Sequence, residues 1–440
     1  MIFTVNVFQI FVRVWRALCV VAALAWASGL SLGKDLAEEW KSGEIWKLPR
    51  GARSGIYMRD SDASRSIARG GVSFGAVPLG EVTFEWREVE QADAGETGKA
   101  ADPSMALYRI TCMVYNRGDN GDISGKEFEK RIKIVTNALS DFFGKKPKKP
   151  SILANRNTLK TNILQWKDGT GVLNLESATS GPKEKGGIPE FIRLVMSADR
   201  HDVVKGNSVD KIGLVSLRKN LATDDDGTVW IQGIPMIDQG TKGYCVPATV
   251  SRVFAYYGMD SVGMHELASL AGSAAEGGTS FLKMETALQK IGTRYRVRYK
   301  ALPKPTGAHA DYYKEYNNEA NAAGKPQIKD NSSKWYENLD GALWAAVRAK
   351  KGTDVNKWFT PIRRNIDRGI PVIWSVFASG LNSRETSHGA GGSHMRLIIG
   401  YNAKTNTIVY SDSWGMWATR RVMTIPEAYS VTTRTYVLLP

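Results

Sequence analysis

The chain has 440 residues, 42% of them hydrophobic, and a formal net charge of +15. That length accommodates two ordinary domains, and that composition supplies material for real cores, which excludes a disordered chain. The positive balance leaves an anionic surface or polymer open as a partner. The basic residues are spread along the chain, and the short run Lys145 to Lys149 has no aromatic residues interleaved. It reads as a solvated loop, so no specific nucleic-acid site is expected.

Arg13 and Arg16 precede an apolar run from Ala17 to Trp26, and Ala25-Trp26-Ala27 offers small residues at A-x-A spacing. This is the pattern of an export signal. Residues 1–33 are expected to be a signal peptide or signal anchor, the protein to be exported, and no later segment to span a membrane. Cys19 would be lost with the signal, leaving Cys112 and Cys245. Export permits a disulfide between them. The alternation in A-L-Y-R-I-T-C-M-V-Y argues against it, because it puts Tyr108, Ile110, Cys112 and Val114 on one strand face. Cys112 then reads as an inert core thiol, and Cys245 as a single free thiol of reactive type.

Residues 34–221 read as a small α+β domain. Lys34 to Gly70 is mixed and resists assignment. Val82, Phe84 and Trp86 mark a strand, and Glu90 to Pro103 an exposed loop. The Cys112 strand follows. Ser124 with Glu127 forms a capping-box signal for a helix whose apolar stripe is Phe128, Ile132, Val135, Leu139 and Phe142, ending at Gly144. Asp168-Gly169 sits between two short apolar runs as a hairpin turn, and Phe191 to Met196 is a further strand. Asp119 to Asp122 and Asp224 to Gly227 lack calcium-loop spacing and read as turns. No Cys/His spacing suits a metal, so neither metal nor cofactor is expected.

Residues 222–440 carry the chemistry. Asp238 to Gly258 opens as a loop and continues as a helix, with Val246, Val250, Val253, Phe254 and Tyr257 on one face. Pro247 suits its first turn and Gly258 the position past its end. Cys245 therefore stands at the helix N-terminus, where unpaired amide dipoles favour negative charge. A second helix is expected from Phe281 to Ile291, stopped by Gly292. Ala301 to Asn356 is polar and reads as an insertion with a short helix at Leu339 to Val347. Phe359, Ile362 and Ile366 mark another helix. Strands are expected at Pro371 to Phe377, His394 to Tyr401 and Thr407 to Ser411.

A thiol nucleophile needs a base, a group to orient the base, and donors for the oxyanion. His394 begins one strand and Asp412 ends the next, so antiparallel pairing would bring them side by side. Gln239, six residues before Cys245, can supply an amide donor. His388 is a rival base, but it lies in a glycine-rich loop. His201, His265 and His309 have no convergent partners in the sequence and read as surface residues.

Q-G-T-K-G-Y-C-V-P-A-T, G-I-P-V-I, H-M-R-L-I-I-G-Y-N and S-D-S-W-G, in that order, resemble the papain-like cysteine peptidases, and most closely the C39-like, bacteriocin-processing-type family. The resemblance covers about half the chain, from Gly227 to Tyr429. It implies a papain-like α+β domain acting on peptide or protein substrates. Cys245 would be nucleophile, His394 general base, Asp412 its orienting partner, and Gln239 an oxyanion donor beside the Cys245 N–H. Trp414 matches a tryptophan that shields the His–Asp pair. The insertion is a departure from the family, and no transporter segment accompanies the domain, so double-glycine specificity is not carried over. The alternatives to a hydrolase are an acyltransferase using the same triad and a non-catalytic binding protein on the same scaffold.

Overall fold

Two mainly antiparallel sheets, each with a hydrophobic core, organise the chain. The computed structural model describes residues 34–48, 59–62, 65–88, 105–150, 160–181, 187–198, 213–240, 243–259, 263–273, 279, 283–286, 288–289, 292, 297–303, 313–328, 340–350, 352–377 and 393–440. The export signal, the Glu90 to Pro103 loop, His201, His309 and His388 lie outside these residues. Among the described residues no helix is long and apolar enough to cross a membrane.

The first sheet contains β1 (Lys34–Asp35), β2 (Arg59–Asp62), β3 (Arg65–Phe74), β4 (Val77–Glu88), β5 (Met105–Asn116), β6 (Lys160–Lys167), β7 (Gly171–Ser180) and β8 (Ile188–Ala198). Its order is β1-β3-β4-β5-β8-β7-β6, with β2 also on β3. All pairs are antiparallel except β1 with β3. One face packs on α1 (Leu36–Ser42) and α2 (Gly125–Phe143). Ser124 caps α2 by accepting from the Glu127 N–H, and Gly144, at φ 62°, ends it.

Cys112 is fully buried, and burial pushes its thiol upward, as an inert core thiol requires. The expected face of its strand needs correction. The register slips at Tyr108 and again at Val114, each an extra residue against its partner strand. These bulges reset the alternation. Leu107 and Tyr115 are buried in the core, and Val114 packs only partly buried against it.

The second sheet runs β11 (Arg298–Ala301), β16 (Thr432–Leu439), β12 (Val372–Phe377), β13 (Ser393–Asn402), β10 (Val229–Ile231) and β9 (Leu221–Thr223), with β14 (Thr407–Ser411) joining β13 to β15 (Arg421–Thr424). Against it lie α3 (Cys245–Tyr256), α7 (Gly352–Ile366) and α8 (Ile425–Val431); α4 (Met264–Leu270) packs on α3. The expected Phe281 helix is described only in part. Met284 and Leu288 are buried, and Gly292 is itself helical instead of a stop. Within the polar stretch from Ala301 to Asn356 the described residues include helical segments, one of them at the expected short helix. The stretch holds α5 (Tyr313–Ala322) and α6 (Gly341–Ala349) around a small core of Tyr316, Trp344 and Val347. Arg348 and Trp344 donate to the Ser430 carbonyl on α8.

The two halves meet through charge. The face of the first sheet opposite α2 carries Arg65, Arg109, Arg193, Glu81, Glu85 and Glu176. Arg193 Nη2 lies 2.7 Å from Glu176 and 2.6 Å from Glu266 on α4. Between the halves is a cavity of about 110 Å³ whose lining includes neither Cys245 nor His394. His265 lies in this seam, not on the surface as expected. Its side chain is 11% exposed, 3.7 Å from Glu81, with Nδ1 3.0 Å from Asn116 Nδ2. Its partners come from strands more than a hundred residues away, which local spacing cannot reveal.

Glu85 and Glu266 are both held below the ordinary glutamate value of 4.5. Burial is the largest influence and favours the neutral acid, but Arg65 and Arg109 outweigh it at Glu85, and Arg193 at Glu266. Carboxyls that bind protons more weakly when folded add stability above the ordinary value and lose it as pH falls towards their folded values. The urea midpoint is therefore expected to drop below about pH 5, and Glu266→Gln to flatten the drop. Midpoints measured from pH 7 to pH 3 check this.

Candidate active site

Cys245 is the first residue of α3 and is partly exposed. The helix was expected to bury one face. It is buried on nearly all sides, and the polar residues Thr249, Ser251 and Arg252 are within 2% of full burial. Two of these tie the helix to its surroundings. Thr249 donates to the Met395 carbonyl at 3.3 Å. Arg252 donates through Nε to the Pro235 carbonyl at 2.8 Å, and through Nη2 to Ser411 Oγ. Met395 adjoins His394, Ser411 adjoins Asp412, and Pro235 leads into the Gln239 loop. One helix thus fixes all three other segments of the site.

β13 and β14 pair antiparallel, with Leu397 opposite Ser411. This register brings the start of β13 beside the residue after β14. His394 Nε2 lies 2.7 Å from Asp412 Oδ1. The same imidazole is close enough to Cys245 for the thiol to raise its proton affinity. With Nε2 engaged by Asp412, Nδ1 is the ring nitrogen left for the thiol. The Trp414 ring stacks on His394 with centroids 4.5 Å apart and an 18° tilt, and Trp417 stacks on Trp414 at 6.0 Å.

The electrostatics favour a charged pair. Burial, the largest influence on His394, disfavours its proton, but Asp412 and Cys245 outweigh burial and raise the imidazole to about 9. Burial likewise favours neutral Asp412, yet His394 and Arg396 hold it at about 2. A histidine whose proton affinity rises on folding stabilises the fold fully below its ordinary 6.5. That contribution is lost as pH rises through about 9.

Gln239 is buried on the loop before α3. Its N–H donates to the Ser413 carbonyl at 2.9 Å, and its Oε1 accepts from Ser413 Oγ at 2.6 Å. The second contact sets which end of the amide carries donors. Cys245, His394, Asp412 and Gln239 are therefore joined through two short chains of contacts, one centred on the imidazole and one on Ser413. Sequence reasoning missed three supporting residues: Arg252, Ser413 and Arg396. Arg396 is 2% exposed and donates from Nε to Asp412 Oδ2 at 2.7 Å. Its signal was available: an arginine two residues after His394, on the same face of an otherwise apolar strand. Among the described residues no cluster of His, Cys, Asp and Glu has metal-ligand geometry.

A cysteine at a helix start, packed against an antiparallel sheet that presents histidine and aspartate, is the arrangement of the papain-like fold. Residues 231–437 match the model of the Peptidase_C39 like family, and the C-terminal half of the chain belongs to that family. No curated protein matches the chain.

Asp412 is the point where removal is most costly. Truncating one partner of a buried charge pair typically costs about 3–5 kcal/mol, because the other charge is stranded. Asp412→Ala is expected to destabilise by about that amount. Adding Arg396→Met is expected to restore part of it by removing the orphaned cation. Denaturant unfolding of both variants checks the pair.

Proposed function

We propose that the C-terminal half hydrolyses peptide bonds with Cys245 as nucleophile. The observation that carries this reading is an imidazole 2.7 Å from Asp412 whose proton affinity is also raised by the nearby Cys245. His394 takes the Cys245 proton, giving a thiolate and an imidazolium. Asp412 fixes the ring orientation and balances its charge. The thiolate attacks the carbonyl carbon, and the oxyanion is held by the Cys245 N–H and the Gln239 side-chain amide. As the C–N bond breaks, His394 returns the proton to the leaving amine. The remaining thioester is then attacked by water, with His394 accepting its proton. Acid is released and the thiol restored. No cofactor enters this scheme. We further propose that the enzyme is exported, a reading supported by the residue pattern from Arg13 to Ala27.

Iodoacetamide labelling near pH 6 tests the ion pair separately from substrate choice. Cys245 is expected to react fast, and His394→Ala to slow it by at least about tenfold, the low end of what a positioned base contributes. Equal rates would sink the enzymatic reading and leave a binding protein on this scaffold. A defined peptide mixture then tests the reaction. New peptide termini that vanish in Cys245→Ala mark hydrolysis, whereas adducts to an added amine mark acyl transfer.

A further inference from the structure

We propose that the first half of the chain is a permanent support of the loop joining Gln239 to Cys245, with Arg69 as the positioning residue for Gln239. The inference rests on reading Gln239 as an oxyanion donor.

Two grips reach that loop from the first sheet. The first is Arg69 on β3. Its Nη2 lies 3.6 Å from Asp238 Oδ1, the oxygen that accepts the Gly240 N–H at 2.8 Å. The guanidinium also lies against Gly240, where an added Cβ would come within 2.9 Å of Nη2 and 3.2 Å of Cζ. Gly240 has φ 71°, a left-handed conformation that glycine adopts freely. Arg69 is oriented in turn by Glu81, with Nε 3.2 Å from Oε2. Both neighbours of Gln239 are thus held from outside the peptidase half.

The second grip is on Tyr244, immediately before Cys245. Its hydroxyl lies 3.4 Å from Asn116 Oδ1 at the end of β5. Gly118 closes on the same ring so tightly that a Cβ there would sit 2.1 Å from the hydroxyl. From the second half, Ser413 holds Gln239 itself. Asp238, Gln239, Gly240 and Tyr244 are therefore held between two sheets, and only one belongs to the family-matched half. The first half contacts Asp238 and Gly240, on either side of Gln239, and the side chain of Tyr244, the residue before Cys245.

Arg69 is 36% exposed, so its ion pairs with Glu81 and Asp238 are screened and add little to folding. What they fix is position. A change at Arg69 should therefore affect the oxyanion step without affecting the thiol or the fold.

The test uses the full chain and two probes of Cys245. p-Nitrophenyl acetate acylates the thiol through an oxyanion, whereas iodoacetamide alkylates it without one. Arg69→Met is expected to slow burst acylation about tenfold, part of the 10²–10³ that losing such a donor costs. Alkylation is expected to stay within about twofold, since it develops no oxyanion. In a Gln239→Ala background, Arg69→Met is expected to have no further effect, because the donor it positions is gone. Unchanged acylation in Arg69→Met would overturn the inference. So would equal slowing of both probes, or additive loss in the double variant, which would indicate general loosening. If Gln239→Ala alone leaves acylation untouched, the oxyanion role assigned to Gln239 fails, and this inference fails with it.

Discussion

The Asp412 carboxylate is the centre on which the site depends. It is 1% exposed and is approached by three donors at 2.7 Å: His394 Nε2, Arg396 Nε and the Ser413 N–H. A buried carboxylate without such partners would take up a proton and stop orienting the imidazole. Arg396 matters here because His394 alone would make an isolated pair whose desolvation cost rivals its attraction. With a second, permanent cation on Oδ2, the charge of Asp412 does not depend on the state of His394. The imidazole can then give up and regain a proton while its partner stays ionised.

The same arrangement explains why α3 is buried on nearly all sides. A helix packed on a sheet needs only one apolar face. This one also places Thr249 and Arg252 in the interior, where each must find hydrogen-bond partners. They find them on β13, at the end of β14 and in the loop before Gln239. The polar requirement of one helix thus fixes the distances between segments separated by up to 159 residues. Rigid placement of this kind is what a site needs if it is to act through short hydrogen bonds.

Much of this could be read from the sequence because the informative features were local. The loop-to-helix junction at Cys245, the capped α2, the Asp168 hairpin and the strands bearing His394 and Asp412 all declare themselves within a few residues. The elements that were missed depend on distant partners. α5 lies in a polar stretch and gains its core only by folding on α6, the helix expected near Leu339 to Val347. The bulges at Tyr108 and Val114 are set by neighbouring strands, so alternation alone put the wrong residues in the core. His265 looked solitary because Glu81 and Asn116 reach it across the seam between the halves. The same holds for Ser413, whose importance follows from its contact with Gln239, 174 residues earlier.

The net charge of +15 takes on a different meaning once the seam is known. Basic residues on one face of a sheet invite comparison with a polyanion-binding surface. On the first sheet that face is already occupied. Arg65 is engaged by Glu85, Arg69 by Glu81 and Asp238, Arg109 by Glu85, and Arg193 by Glu176 and Glu266. These arginines serve to join the halves, and two of the carboxylates they neutralise, Asp238 and Glu266, belong to the peptidase side. An anionic partner would have to be met elsewhere on the molecule. The seam is better understood as the structural reason why a loop of the peptidase half is held by side chains outside it.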